Sequence, residues 1–143
     1  MKRIDDGYQT LITFSASGSV AFYQKEVTPP GMDGGGSVDI TTMLNTRYRT
    51  MNPKHLMTLT DMKLTAAYDP VVYTSILAML QMNQQITVTF PDGSTVQFWG
   101  YIDKFIPGAL VEGQQPTAEV TIVPTNHDNT VPLPLEAAPT VVA

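Results

Sequence analysis

The chain has no cysteine among its 143 residues. That removes disulfides, thiolate nucleophiles and soft-metal sites together, and leaves a reducing compartment open. Charge is also scarce, since Asp, Glu, Lys and Arg make up only 15% of the chain, against roughly 25% in an average soluble protein. The outside must therefore be covered by Thr, Ser, Gln and Asn, or be hidden by partners. No run approaches the about 20 apolar residues that span a bilayer. The opening "MKRIDDGYQT" has no apolar stretch behind its basic residues, so it reads as unprocessed and without a membrane anchor. A net charge of -5 argues against gripping nucleic-acid phosphates, which takes clustered Lys and Arg.

Catalytic groups are equally sparse. The two histidines are His55, in an irregular stretch, and His127, near the C-terminus; the acidic pair Asp5 and Asp6 sits at the N-terminus. No Gly-x-Ser-x-Gly elbow, His-Glu-x-x-His pair or EF-hand spacing occurs. Without a nucleophile and base to pair, no enzyme, no metal site and no cofactor is expected. The glycine-rich "PPGMDGGGS" lacks the Gly-Lys-Ser/Thr ending of a phosphate cradle. With two prolines and four glycines from Pro29 to Gly36, it is read as a long flexible loop over 29–37.

What is present is mostly alternation. Ile12 and Phe14, then Val20 and Phe22, suggest two short strands around Gly18, and extended structure resumes at Val38 and Ile40 before an irregular stretch to Pro53. Met62, Leu64, Ala66 and Tyr68 alternate with polar neighbours as a further strand, and Ala118, Val120 and Ile122 mark the last core-facing row. Between them the period changes to 3.6. Asp69 suits an N-cap, Pro70 the first helical turn, and Val72, Tyr73, Ile76, Leu77, Met79 and Leu80 form one stripe, predicting a helix over about 70–82.

The segment "ITVTFPDGSTVQFWGYI" is a hairpin. A turn centred on Pro91 and Asp92, with Gly93 left-handed, sets Phe90 opposite Ser94, Val88 opposite Val96 and Ile86 opposite Phe98. Thr87, Thr89, Thr95 and Gln97 then share the outer face, which continues as Trp99, Tyr101 and Phe105. That end is apolar on both sides and calls for a second cover, from the protein's own helix or loop or from another subunit.

Arg47, Arg49, Lys54 and His55, around Tyr48, form the one local charge cluster, better suited to meeting a neighbour's carboxylates than to nucleic acid in so acidic a chain. From Pro124 onward four prolines appear, favouring an extended arm over 125–143. Leu133, Leu135, Val141 and Val142 on it suit a strap across a neighbour better than a frayed tail. Together these elements predict an α+β, mainly β domain over 1–124, an antiparallel sandwich or barrel with one flanking helix.

The order of these features, from the double strand through "PPGMDGGG", "VDITTMLNTRYRT", the Asp-Pro helix and "FPDGSTVQFWGYI" to "PTAEVTIVP", resembles the tail tube proteins of long-tailed bacteriophages. The resemblance runs from about Gln9 to Pro124. It implies hexameric rings stacked into a virion tail tube, made in the host bacterial cytoplasm. Its partners would be other copies, a tape-measure protein and the tail terminator and tip proteins. The lumen would pass double-stranded DNA without binding it, and six copies of a chain at -5 would repel that polyanion. Ring closure would also pair the edge strands of a small open sheet. On this view the contact residues are Pro30, Gly31, Asp33, Gly35, Arg47, Tyr48, Arg49, Lys54, Trp99, Tyr101, Leu133 and Leu135. The inner tubes of contractile tails and secretion systems share the fold and stand as close alternatives.

A monomeric module that binds a ligand or glycan on Trp99 and Tyr101 is the alternative from another class, and a hydrolase is the third. Trp99 is the only tryptophan, so its fluorescence separates the first two. Emission should shift when the protein assembles and stay constant on titration with sugars; the reverse pattern favours the module.

Overall fold

The computed structural model describes residues 10–15, 24–130 and 136–143. Expectations resting on Asp5, Asp6, Gly18, Val20, Phe22, Leu133 and Leu135 lie outside the described residues. In chain order the elements are β1 (Leu11–Phe14), β2 (Gln24–Thr28), β3 (Met32–Asp33), β4 (Ser37–Asp39), β5 (Met51–Pro53) and β6 (Thr58–Leu59). Then follow β7 (Met62–Ala67), α1 (Pro70–Met79), β8 (Gln84–Thr89), β9 (Thr95–Pro107), β10 (Thr117–Pro124) and β11 (Thr140–Val142).

The hairpin of β8 and β9 has the predicted register. The Phe90 N–H donates to Ser94 O at 2.8 Å and the Gly93 N–H to Phe90 O at 3.0 Å, with Gly93 at φ 87°. Val88 pairs with Val96 and Ile86 with Phe98. Ile86, Val88 and Phe98 are buried, and Val96 packs against them.

The main sheet runs β1-β8-β9-β10-β7-β2, all pairs antiparallel, with β11 joining β9 beyond the end of β10. One core takes Ile12 and Phe14 from β1, Ile102 from β9, Val120 and Ile122 from β10, and Met62, Leu64 and Ala66 from β7. Val27 of β2 packs on the same cluster, and the Gln24 side chain donates to the Thr10 carbonyl. Strands from the two ends of the path thus meet, so the sheet curls around its own core. The mainly β architecture with one helix, among the described residues, agrees with the sequence.

The helix starts as predicted, because the Asp69 carboxylate accepts from the Val71 N–H at 2.9 Å and Pro70 occupies the first turn. Its end and its stripe differ. It stops at Met79, not near 82, because Leu80 is extended and Gln81 turns left-handed at φ 64°. Leu80 bridges to Ile102 and the Gln81 N–H donates to the Ile102 carbonyl at 3.1 Å. Only Ile76 and Met79 are buried, with Val72 packed beside them, while Leu77 is exposed.

A second correction concerns Phe105. The pairing of β9 with β10 slips between Thr121 and Ile122, which leaves Asp103 as a bulge. The slip turns the strand over by one residue. Phe105 therefore pairs with Val120 and packs on the core, its ring 5.0 Å from Tyr73 of α1. The helix is its cover, while Trp99 and Tyr101 remain half-exposed on the outer face and Ile106 beyond them is exposed.

The 29–37 segment is likewise no featureless loop, since β3 and the start of β4 lie within it, and the irregular stretch ends in β5. β3 pairs with β6 and β4 with β5. Gly35 and Gly36, at φ 80° and 86°, link the two ribbons.

Gly100 is required by close approach, because a Cβ there would lie 2.8 Å from the Val123 carbonyl oxygen. Gly100→Ala should cost about 1–3 kcal/mol through overpacking. Asp69→Ala should cost about 1 kcal/mol through the lost cap. Urea unfolding followed by circular dichroism measures both, and a neutral Gly100→Ala would mean that β9 and β10 separate there easily.

Candidate assembly surface

Between Thr28 at the end of β2 and Met62 at the start of β7 the chain leaves the sheet and returns to pair with itself, so these residues form an arm. At its base the Thr60 N–H donates to the Gly31 carbonyl at 2.8 Å, and the Gly31 N–H to Thr60 Oγ1 at 2.7 Å. Asp33 Oδ1 accepts from the Gly35 N–H at 2.8 Å. Further out, the Lys54 N–H donates to the Gly36 carbonyl at 3.2 Å and closes the β4–β5 ribbon.

The tip over 40–50 is tied by its own polar side chains. Asn45 Nδ2 donates to the Tyr48 carbonyl at 2.7 Å and to Thr50 Oγ1 at 2.8 Å. The Thr50 N–H donates to Thr41 Oγ1 at 2.9 Å, and the Thr41 N–H to Asp39 Oδ1 at 2.9 Å. Arg49 Nη1 lies 3.2 Å from Asp39 Oδ2. These polar side chains bond to one another at the surface, and the apolar ones beside them are fully open: Met43, Leu44 and Tyr48 are 103%, 91% and 81% exposed. Apolar groups exposed on a loop tied by its own hydrogen bonds make a sticky, preorganised end.

The sequence-selected residues fall in two places. Pro30, Gly31, Asp33 and Gly35 lie in the inner half of the arm, and Arg47, Tyr48 and Arg49 at its tip. Lys54 and His55 are separated from the two arginines by β5, so these four residues line the arm and form no single patch. Trp99 and Tyr101 occupy the outer sheet face, where Trp99 pairs with Gln85 and Tyr101 with Val123. Leu133 and Leu135 lie outside the described residues. Sequence reasoning passed over Met43, Leu44 and Leu56, all exposed on the arm, where Met57 is exposed as well and does not serve the packing that methionines usually supply. The signal was there, in apolar pairs inside stretches with no strand or helix period.

The C-terminal segment folds back on its own chain, so Val141 and Val142, expected on a strap across a neighbour, pair with their own β9 instead. Thr140, Val141 and Val142 pair with Gln97, Val96 and Thr95 of β9, and the Ala137 N–H donates to the Asn126 carbonyl at 2.8 Å. Asn83 anchors the preceding turn: its Nδ2 donates to the His127 carbonyl at 3.0 Å and its Oδ1 accepts from Thr125 Oγ1 at 2.7 Å. Between this segment and the arm base lies a groove of about 340 Å³, lined by Met32, Leu56, Met57, Leu59, Asn126, Glu136, Ala138 and Pro139. Among the described residues no cluster of three or more potential metal ligands occurs.

Comparison of the sequence with described families and with curated proteins finds no match. Comparison of the fold does. A chain in "Tail of empty GTA particle computed with helical refinement, C6 symmetry" superposes with a TM-score of 0.65 at 14% identity, over 97% of this chain and 99% of that one. A chain in "Virion of native gene transfer agent (GTA) particle" gives 0.64 at 14% identity, over 97% and 99%. One in "Cryo-EM structure of the anti-feeding prophage (AFP) baseplate, 6-fold symmetrised" gives 0.60 at 8% identity, over 99% and 97%. Along nearly the whole chain the fold is shared with chains of these tail, virion and baseplate particles.

The bonds from Thr41 hold the Asp39 carboxyl below its ordinary value of 3.8, with Arg49 adding to the effect. A depressed folded pKa means that Asp39 supports the tip above the ordinary value and ceases to as pH falls through the folded one. The Asp39 carboxyl resonance should titrate below 3.8, with Thr41 amide protection lost over the same range. Thr41→Val should raise the midpoint; an unshifted Asp39 would show that the tip network does not hold.

Proposed function

We infer that this chain is a structural subunit of a tail tube, self-associating into rings that stack around a lumen. The observation that carries this reading is the agreement, over nearly the full length of both chains, with a chain of a helically refined tail of C6 symmetry. Six subunits per ring is the arrangement that neighbour suggests. The exposed tip of the arm supports the reading independently, because apolar side chains held outward by an internal hydrogen-bond network are costly on a free monomer and useful in an assembly. Trp99 and Tyr101, half-exposed on the outer sheet face, suit a second contact of the same kind. DNA would pass the lumen without specific binding, in keeping with a net charge of -5 per subunit.

The likeness to a chain of a six-fold symmetrised baseplate favours a second reading, a ring component of the baseplate from which the inner tube of a contractile-type particle starts. The two differ in what the subunit builds. A tail-tube subunit should extend into long tubes at sufficient concentration, whereas a baseplate component should stop at one or a few rings.

Electron microscopy of the purified protein tests both. Rings or tubes of uniform diameter are expected, and Leu44→Asp at the tip should leave circular dichroism unchanged while reducing stacking. Protein that stays monomeric at all concentrations, even with tail partners added, would overturn the assembly reading.

A further inference from the structure

We propose that the tip of one arm seats in the groove at the arm base of another copy, so that the C-terminal segment serves as part of the receptor. This rests on the self-assembly reading above and specifies its contact. The groove is walled on one side by Leu56, Met57 and Leu59 and on the other by Ala138 and Pro139. Its polar lining residues are Glu136, whose carboxylate is an acceptor, and Asn126, which offers both donor and acceptor atoms. The tip carries the matching set. Met43 and Leu44 supply apolar side chains, the Tyr48 hydroxyl and the Arg47 guanidinium supply donors, and Arg47 pairs with no acid among the described residues, whereas Arg49 is held by Asp39. In a chain of net charge -5, a tip that carries Arg47 beside the neutralised Arg49–Asp39 pair is complementary to a groove whose only charged lining residue is Glu136.

The occupant has to be a second copy. From Gly36 to Thr42 the arm extends about 20 Å at roughly 3.3 Å per residue, and the β4–β5 pairing and the Lys54–Gly36 bond hold the tip away from its own base. Tip and groove are different surfaces, so the contact between copies is head-to-tail and leaves a free tip and a free groove at the two ends of any assembly. Such a contact propagates. It would act along the axis on which rings add.

Because the chain has no native cysteine, cross-linking reads this contact directly. Leu44 and Ala138 are both exposed, so Leu44→Cys and Ala138→Cys should fold as the parent does. Mixed under assembly conditions with a mild oxidant, the two single variants should give a disulfide-linked heterodimer. Each variant alone should give much less of the corresponding homodimer. Arg47→Glu should lower the heterodimer yield, and Glu136→Lys on the receiving chain should restore it.

Assembly without the heterodisulfide, or with Leu44→Cys linking mainly to itself, would overturn the docking while leaving the tube reading intact. In a chain carrying both substitutions, an intramolecular disulfide formed at high dilution would also overturn it, by placing the tip in its own groove. Failure to assemble under any condition would remove the tube reading and this contact with it.

Discussion

The bulge at Asp103 is the constraint on which the rest of the structure turns. β9 has to satisfy β8 along its first half and β10 along its second, while its side chains fill a core that curls around it. A strand of 13 residues with unbroken alternation would present Phe105 to the outside, on the face of Trp99 and Tyr101. One extra residue reverses the phase, so that Phe98, Ile102 and Phe105 all serve the interior. The bulge also lies beside the Ile102 carbonyl, which accepts the Gln81 N–H and ties the end of the helix to the middle of the sheet. Gln81 reinforces the tie with a side-chain bond to Asp103 at 3.2 Å. Helix position, core composition and the half-covered outer face all follow from this local irregularity.

Much of the body was legible because it rests on local rules. Pro91, Asp92 and Gly93 dictate a turn, and the turn dictates which of the neighbouring residues are buried. Asp69 and Pro70 start a helix by capping chemistry alone. Where the outcome depended on contacts distant in sequence, the pattern was silent. The helix ends early because Leu80 and Gln81 are captured by Ile102, and nothing in "LQMNQQ" announces a partner 22 residues on. Phe105 changes face because of a register slip set by β10, which a strand read by itself cannot show.

The candidate surface was half legible for the same reason. Arg47, Tyr48 and Arg49 stood out as a basic and aromatic cluster, but Met43 and Leu44 beside them carry no periodicity and look like stray apolar residues. Their exposure depends on Asn45, Thr41 and Thr50 spending their hydrogen bonds inside the tip. The groove had no sequence signature. Its walls come from residues near 32, 56–59, 126 and 136–139, and only the fold brings them together. The structure also moves the interest of the C-terminal segment: its strand pairs with β9 of its own chain, and it is the surface beside that strand that lies open.

The arm is hung between two strands, β2 and β7, that pair directly with each other. Between Thr28 and Met62 only Leu59, where the arm returns, belongs to the buried core cluster, so the outer part of the arm is an excursion that the core does not need in order to close. Its reach can change without disturbing the body, but not by any amount. A residue added to each of β4 and β5 lengthens the ribbon by one rung and exchanges its two faces, so the tip arrives turned over; a second pair restores the orientation. Arms of this design are geared, with usable lengths spaced about 7 Å apart.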